Sequence, residues 1–328
     1  MIYSKTPYRI SFFGGGTDYP QWYLKHGGKV LSTTIDKYCY ISLRSLPPFF
    51  PHHHRIVYSV VEEVKRINDI NHPSVKAVFN YFKIKEGLEM HYDGDLPAKS
   101  GLGSSSSFTV GLINLINFFY NKKTNKKKLA LLALEIEQNI LKESVGSQDQ
   151  IAAAYGGLNI INFSENGSFN VTPVDISKKK KNELEESVIL CFTGIARFAP
   201  KIAKKQIENI NLKSSQFQSL HYFVDEAEKI LKNNKYSIND FAKLLLESWN
   251  VKKTLADELT NQQIDSIFSR GIESGAIGGK LLGAGAGGFL MFIVPPNKQK
   301  NFIKQMSKFI CLPIKFEKKG SQIFSLVK

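Results

Sequence analysis

The densest chemical signal in this sequence is Leu96-Pro97-Ala98-Lys99-Ser100-Gly101-Leu102-Gly103-Ser104-Ser105-Ser106-Ser107, which runs straight into an apolar segment. Small residues let backbone N–H groups approach an anion closely. A helix starting there adds its dipole and its free amide donors. The hydroxyls supply further donors and a ligand for Mg2+. A serine at a helix start explains one of these residues, but not the whole row after two glycines. The stretch reads as a phosphate loop. No Gly-Lys-Ser/Thr closes it, so it is not a Walker A loop.

Two other glycine clusters frame it. Gly283-Ala284-Gly285-Ala286-Gly287-Gly288 has G-x-G-x-x-G spacing, but the strand-like run Phe289–Val294 follows where a dinucleotide site needs a helix. It reads as a tight hairpin or close backbone packing, and as a second glycine wall facing a ligand held by the first loop. Gly14-Gly15-Gly16 lies between Arg9 and Asp18. That pattern fits a turn with room for a polar ligand, and equally a buried turn with a satisfied aspartate. Two carboxylates complete the set. Glu137 sits on an otherwise apolar helix, where it needs a partner, a metal or hydrogen bonds, and Asp149 lies in Val145-Gly146-Ser147-Gln148-Asp149-Gln150. His52-His53-His54 follows Pro47-Pro48-Phe49-Phe50-Pro51 and reads as an exposed loop, not a metal site.

The elements that must position these groups are mixed strands and helices, with no internal repeat. Tyr38–Leu43 and Arg55–Val61 read as strands from their β-branched and aromatic content. Ser107–Tyr120 is apolar almost all round, as a buried helix requires. Leu129, Leu132, Ile136 and Ile140 space a second helix over Lys127–Glu143. Asn166-Gly167 between Leu158–Phe163 and Phe169–Val174 signals a hairpin. A strand at Ser187–Phe192, helices over 200–275, the glycine cluster with its strand, and a final helix and strand follow. The expected division is two α+β domains, 1–175 and 176–328.

Charge and cysteines bound the rest. The chain has 328 residues, with 44 Lys+Arg against 29 Asp+Glu, a formal net charge of +15. Such a balance permits nucleic acid, an anionic membrane or an acidic small molecule as partner. Only six of these basic residues are Arg, the residue that base-edge and bidentate phosphate readers favour. The clusters 122–128, 178–181 and 315–319 fall between apolar segments, where solvated loops belong. Cys39, Cys191 and Cys311 are far apart, with no C-x-x-C pair, so neither a disulfide scaffold nor a zinc module is expected. No apolar run is long enough to span a membrane, and the N-terminus lacks a secretory pattern. The expectation is a cytoplasmic protein, monomer or homodimer, binding neither membrane nor nucleic acid.

Arg9–Tyr19, Pro97–Ser107 and Lys280–Phe289 stand in the order of three signatures of the GHMP small-molecule kinases, and the sequence resembles that family over nearly its whole length. The resemblance implies an N-terminal domain like ribosomal protein S5 domain 2, a ferredoxin-like C-terminal domain and ATP between them. It implies that Gly101, Leu102, Gly103, Ser104, Ser105 and Ser106 cradle the ATP phosphates and that Ser105 and Glu137 bind Mg2+. By the same resemblance Asp149 is the base or orienting group, Arg9 is its partner, and Asp18, Gly15, Gly16 and Gly285 line the substrate. Galactokinases carry Gly-Glu-His-Thr-Asp-Tyr where this chain has Gly14-Gly15-Gly16-Thr17-Asp18-Tyr19, so two sugar-gripping side chains are missing. The full pattern is similar to that of the members acting on the anomeric hydroxyl of a heptose 7-phosphate, on the route to GDP-heptose. It points to ATP and a sugar phosphate as partners, with Arg197 gripping the substrate phosphate. A family member acting on a free sugar, such as fucose or galactose, is the alternative. An RNA-binding protein using the S5-like fold is the rival of another class, and it leaves Glu137, Asp149 and the glycines unexplained.

Overall fold

The structure is a computed structural model describing residues 1–98, 100–195 and 199–325. In chain order the elements are β1 (Ile2–Phe13), α1 (Pro20–His26), β2 (Gly28–Ser45), β3 (His54–Val57), β4 (Val61–Val64), α2 (Pro73–Phe82), β5 (Leu88–Gly94), α3 (Ser104–Phe119) and α4 (Lys126–Leu134). Then come α5 (Gln148–Tyr155), β6 (Leu158–Phe163), β7 (Phe169–Pro173), α6 (Lys178–Ser187), β8 (Val188–Phe192), α7 (Ala199–Glu208), α8 (Ser214–Lys232), α9 (Ile238–Lys253) and α10 (Gln262–Glu273). β9 (Gly278–Leu281), β10 (Phe289–Ile293), α11 (Gln299–Gln305), β11 (Ile310–Pro313), β12 (Phe316–Glu317) and β13 (Gln322–Ser325) close the chain.

Two sheets organise these elements. The first runs β13-β1-β2-β5-β3-β4, and the long β2 also pairs β6 and β12. Its pairs are antiparallel except β3 with β5. The second is four-stranded and antiparallel, in the order β11-β8-β10-β9. α3 packs on the first sheet with buried residues on every side, as its unbroken apolar run requires. Phe12 and Phe13 at the end of β1 meet Phe241 of α9 edge-on, at ring-centroid distances of 5.4 and 5.1 Å. These contacts clamp the helices of the C-terminal half onto the first sheet.

Several expectations change. Arg55–Val61 is not one strand: the backbone turns at 58–60, and β3 pairs back on β4. Propensity does not mark that turn. α4 passes into a π-helical stretch at Glu135–Ile140. The wider turn shifts the later side chains, so Ile140 is 43 % exposed instead of continuing the buried stripe. Lys178–Lys181 opens α6 and is no loop. Lys180 is buried, and its ammonium donates to the carbonyls of Ile230 and Asn233 at the end of α8. His54 is buried at the start of β3 against Phe79, although the histidine run reads as exposed. The cysteine expectation is also corrected. Cys191 and Cys311 face each other across β8 and β11 and form a disulfide, a proximity that their sequence separation of 120 conceals. Beyond residue 175 the chain builds the second sheet, but β12 and β13 return to the first. Among the described residues no helix is long and apolar enough to cross a membrane.

Candidate active site

β1 delivers the first site residue. Its ladder with β2 slips on both sides of Arg9 and Ser11, between Pro7 and Arg9 and again between Ser11 and Phe13. Pro7 has no N–H to hold a regular ladder, and such bulges redirect the side chains beside them. The Arg9 backbone N–H donates to Leu102 O, at 3.0 Å. Its guanidinium donates to Gly101 O at 2.8 Å and makes a two-pronged pair with Asp149, at 2.7 and 2.6 Å. One arginine thus fixes both the glycine loop and the carboxylate. Arg9 is 4 % exposed, whereas the Asp149 side chain is 24 % exposed and open to a ligand.

The loop ends in α3, which begins at Ser104 behind Gly103, at φ 72°. The first amides of α3 have no intrahelical acceptor, so they and the helix dipole face an incoming anion. A methyl group on Gly103 would lie 3.3 Å from Asp149 Oδ2 and 3.2 Å from Arg9 Cγ. The carboxylate therefore lies against the helix start. Behind the loop, a methyl on Gly283 would come 2.6 Å from Gly101 Cα, and one on Gly288 would come 2.3 Å from Ser100 O. The second glycine cluster is the hairpin joining β9 to β10, and it backs the glycine-serine loop directly. Gly285 packs elsewhere: the space of its missing side chain borders Leu259, with Leu259 O 2.8 Å away.

Glu137 lies in the π-helical stretch, fully enclosed. One oxygen accepts from Ser106, at 2.8 Å, and from Gln150, and Oε1 has no partner among the described residues. Burial pushes its carboxyl up to about 7, with Glu143 adding to the rise, against the nearby Thr109, Gln150 and Ser106 side chains that pull it down. An orphaned buried carboxylate oxygen beside hydroxyls is a donor set that fits a hard divalent cation. The hydroxyl touching Glu137 is that of Ser106. Ser105 is exposed one residue earlier, on the open side of the helix start. Ser104 is buried, and Ser107 is tied to Pro7 O at 2.9 Å.

Asp18 is 3 % exposed, and its two oxygens accept from the backbone amides of Gly16, at 2.8 Å, and Gln148, at 3.2 Å. Burial raises its pKa against those hydrogen bonds. It ties the glycine turn to the start of α5, and any side chain on Gly146 would collide with it. Gly16 faces Phe217, while Gly15 opens toward the polar interior. Lys280 is buried and donates to Phe12 O at 3.0 Å, joining β9 to β1. Arg197 lies outside the described residues.

Lys252 escapes the sequence reading. It lies at the end of α9 beside Lys253, where lysines are common, yet it is 7 % exposed. Its place on the buried stripe Phe241, Leu245, Trp249, Lys252 is the signal that could have found it.

A polyphosphate held on the amides of α3 would present its end to Asp149, where a carboxylate can take the proton of an attacking hydroxyl. That is kinase chemistry, and the molecule is an ATP-dependent phosphotransferase. The model of the GHMP kinases N terminal domain matches residues 65–157, and that of the GHMP kinases C terminal matches 228–310. A D-glycero-alpha-D-manno-heptose 7-phosphate kinase of Campylobacter jejuni is 32 % identical over 94 % of this chain and 93 % of its own. A mevalonate kinase of Methanocaldococcus jannaschii is 30 % identical over 76 % and 78 %. A crystal structure of a D-glycero-D-manno-heptose 1-phosphate kinase from Bacteroides thetaiotaomicron superposes with a TM-score of 0.82 over the full length of both chains, at 24 % identity. This chain belongs to the GHMP kinases, and its two-sheet α+β architecture is the fold of that family.

Proposed function

We propose that this enzyme transfers the γ-phosphoryl group of ATP to the anomeric hydroxyl of D-glycero-D-manno-heptose 7-phosphate, giving the 1,7-bisphosphate and ADP. The carrying observation is the Arg9–Asp149 pair lodged against the start of α3, which sets a carboxylate beside the phosphate loop. The near full-length likeness to a heptose 7-phosphate kinase supports the substrate. Gly15 and Gly16, standing where galactokinases carry Glu and His, speak against galactose as the acceptor.

In this reading the amides of Ser104–Ser106 bind the terminal phosphates, and Arg9 holds Asp149 in place. The acceptor O1 forms its bond to phosphorus as the bond to the β-phosphate oxygen breaks, and the O1 proton passes to Asp149. Glu137 with the Ser105 and Ser106 hydroxyls would hold Mg2+, which supplies charge neutralisation on the phosphates. Asp18 holds Gln148 and the glycine turn in register and borders the sugar. The reading also keeps the boundary near residue 175 between the nucleotide-gripping half and the half that closes over it. ADP release measured across sugars and sugar 7-phosphates tests the substrate. Turnover of heptose 7-phosphate well above every free sugar is expected. Preference for fucose or another unphosphorylated sugar overturns it.

A further inference from the structure

Three buried side chains from three elements converge on the space above Gly15. A methyl group built on that glycine would sit 3.2 Å from Lys252 Nζ (α9), 3.3 Å from Ser11 Oγ (β1) and 3.4 Å from Gln148 Nε2 (α5). Lys252, Ser11 and Gln148 are 7, 5 and 7 % exposed. Ser11 Oγ and Gln148 Oε1 have no hydrogen-bond partner, and Lys252 makes neither hydrogen bond nor ion pair among the described residues.

Buried polar groups are almost always paired, and a buried cation without a counter-ion is costlier still. Lys252 Nζ and Ser11 Oγ, facing one point beside the Gln148 Nε2 donor, describe a site completed by a ligand. The nearby charges say which kind. Arg9 and Asp149 pair, and Asp18, which accepts two backbone amides, attracts Lys252; even so, Arg9, Lys252 and Lys280 are three basic groups against these two carboxylates. Lys280 adds a further amine near Lys252, bonded among the described residues to Phe12 O. The unmatched group is positive, so the missing partner is an anionic oxygen. The neighbouring Gln148–Asp149 step places that oxygen beside the acceptor carboxylate.

We propose that Lys252, Ser11 and the Gln148 amide form a subsite above Gly15 for a phosphoryl oxygen. This rests on the phosphotransferase reading, which admits two sources: a phosphate carried by the acceptor, or the group being transferred.

Lys252→Met and Gly15→Ala test it. The first removes the cation at similar volume. The second fills the space with a methyl at a residue whose backbone is not in the left-handed region. Inorganic phosphate is the probe independent of the sugar: it raises the thermal midpoint of the wild type and shifts neither variant. On the best acceptor, each variant loses roughly 10- to 100-fold in kcat/KM, the weight of a charge-assisted contact. A loss confined to KM for phosphorylated acceptors assigns the subsite to the acceptor's phosphate. A loss of kcat on phosphorylated and free sugars alike assigns it to the transferred group. Lys252→Met leaves the ligand-free midpoint unchanged or higher, because it removes an unpaired buried charge. Folded variants with wild-type kinetics and wild-type phosphate response overturn the subsite. A panel in which free sugars win overturns the heptose phosphate reading alone.

Discussion

Asp149 and Lys252 are ionisable groups on either side of one small space, and each makes a measurable statement. Asp149 accepts two guanidinium hydrogen bonds yet keeps a quarter of its side chain open. Asp149→Asn should lower kcat by roughly 10²- to 10⁴-fold, the usual worth of a positioned base, and leave ATP affinity nearly unchanged. Wild-type turnover in single-turnover assays of that variant would remove Asp149 from the chemistry. Burial brings the Lys252 ammonium down to about 8, with Asp18 pulling it back up, Arg9 pushing it down and Asp149 pulling up; Lys280 faces it from β9. The cation is present below that value and lost above it. KM for a phosphorylated acceptor should therefore rise above about pH 8, an alkaline limb absent in Lys252→Met. Stability runs the other way. Between about 8 and 10.5 the unfolded chain holds a proton that the folded one has released, so this group's contribution rises with pH.

At the scale of elements, two glycine-rich loops press against each other. The hairpin between β9 and β10 meets the phosphate loop at Gly283 and Gly101, at φ 76° and 81°. A side chain on either is strained by its backbone and collides with its neighbour. Gly283→Ala should cost about 1–3 kcal/mol, read from the urea midpoint, and raise KM for ATP by displacing the start of α3. An unchanged midpoint and KM would show that the hairpin does not brace the loop. The π-helical stretch has a comparable role, turning Glu137 inward between α3 and α5. Most of this frame was legible in the sequence. α3 and the β6–β7 hairpin follow from an apolar run and an Asn-Gly turn, which are local signals. The π-helical stretch and the β3–β4 turn were not, because they answer to packing rather than to periodicity.

Over the whole molecule the +15 charge is carried mainly by exposed lysines, as at Lys122, Lys123 and Lys126–Lys128. Spread lysines give a weak, screened field without base readers. Polynucleotide binding should be sequence-independent and disappear as salt approaches the physiological range. Retention of tight binding there, measured by fluorescence anisotropy, would revive the RNA-binding alternative. Lys252 and Lys280 contribute little to that field, because they are buried.

The sequence by itself pointed to the glycine-serine loop before α3, to the carboxylates Glu137 and Asp149, and to the order of the three glycine clusters. Those depend on residue type and local spacing. Only the tertiary structure decided that Arg9 grips both the loop and Asp149, that Asp18 serves the backbone, and that Ser106 rather than Ser105 touches Glu137. It alone brought Lys252 to Ser11 and Gln148. Those positions lie more than 100 residues apart on three elements, and an unpaired buried charge becomes visible only once everything around it is in place.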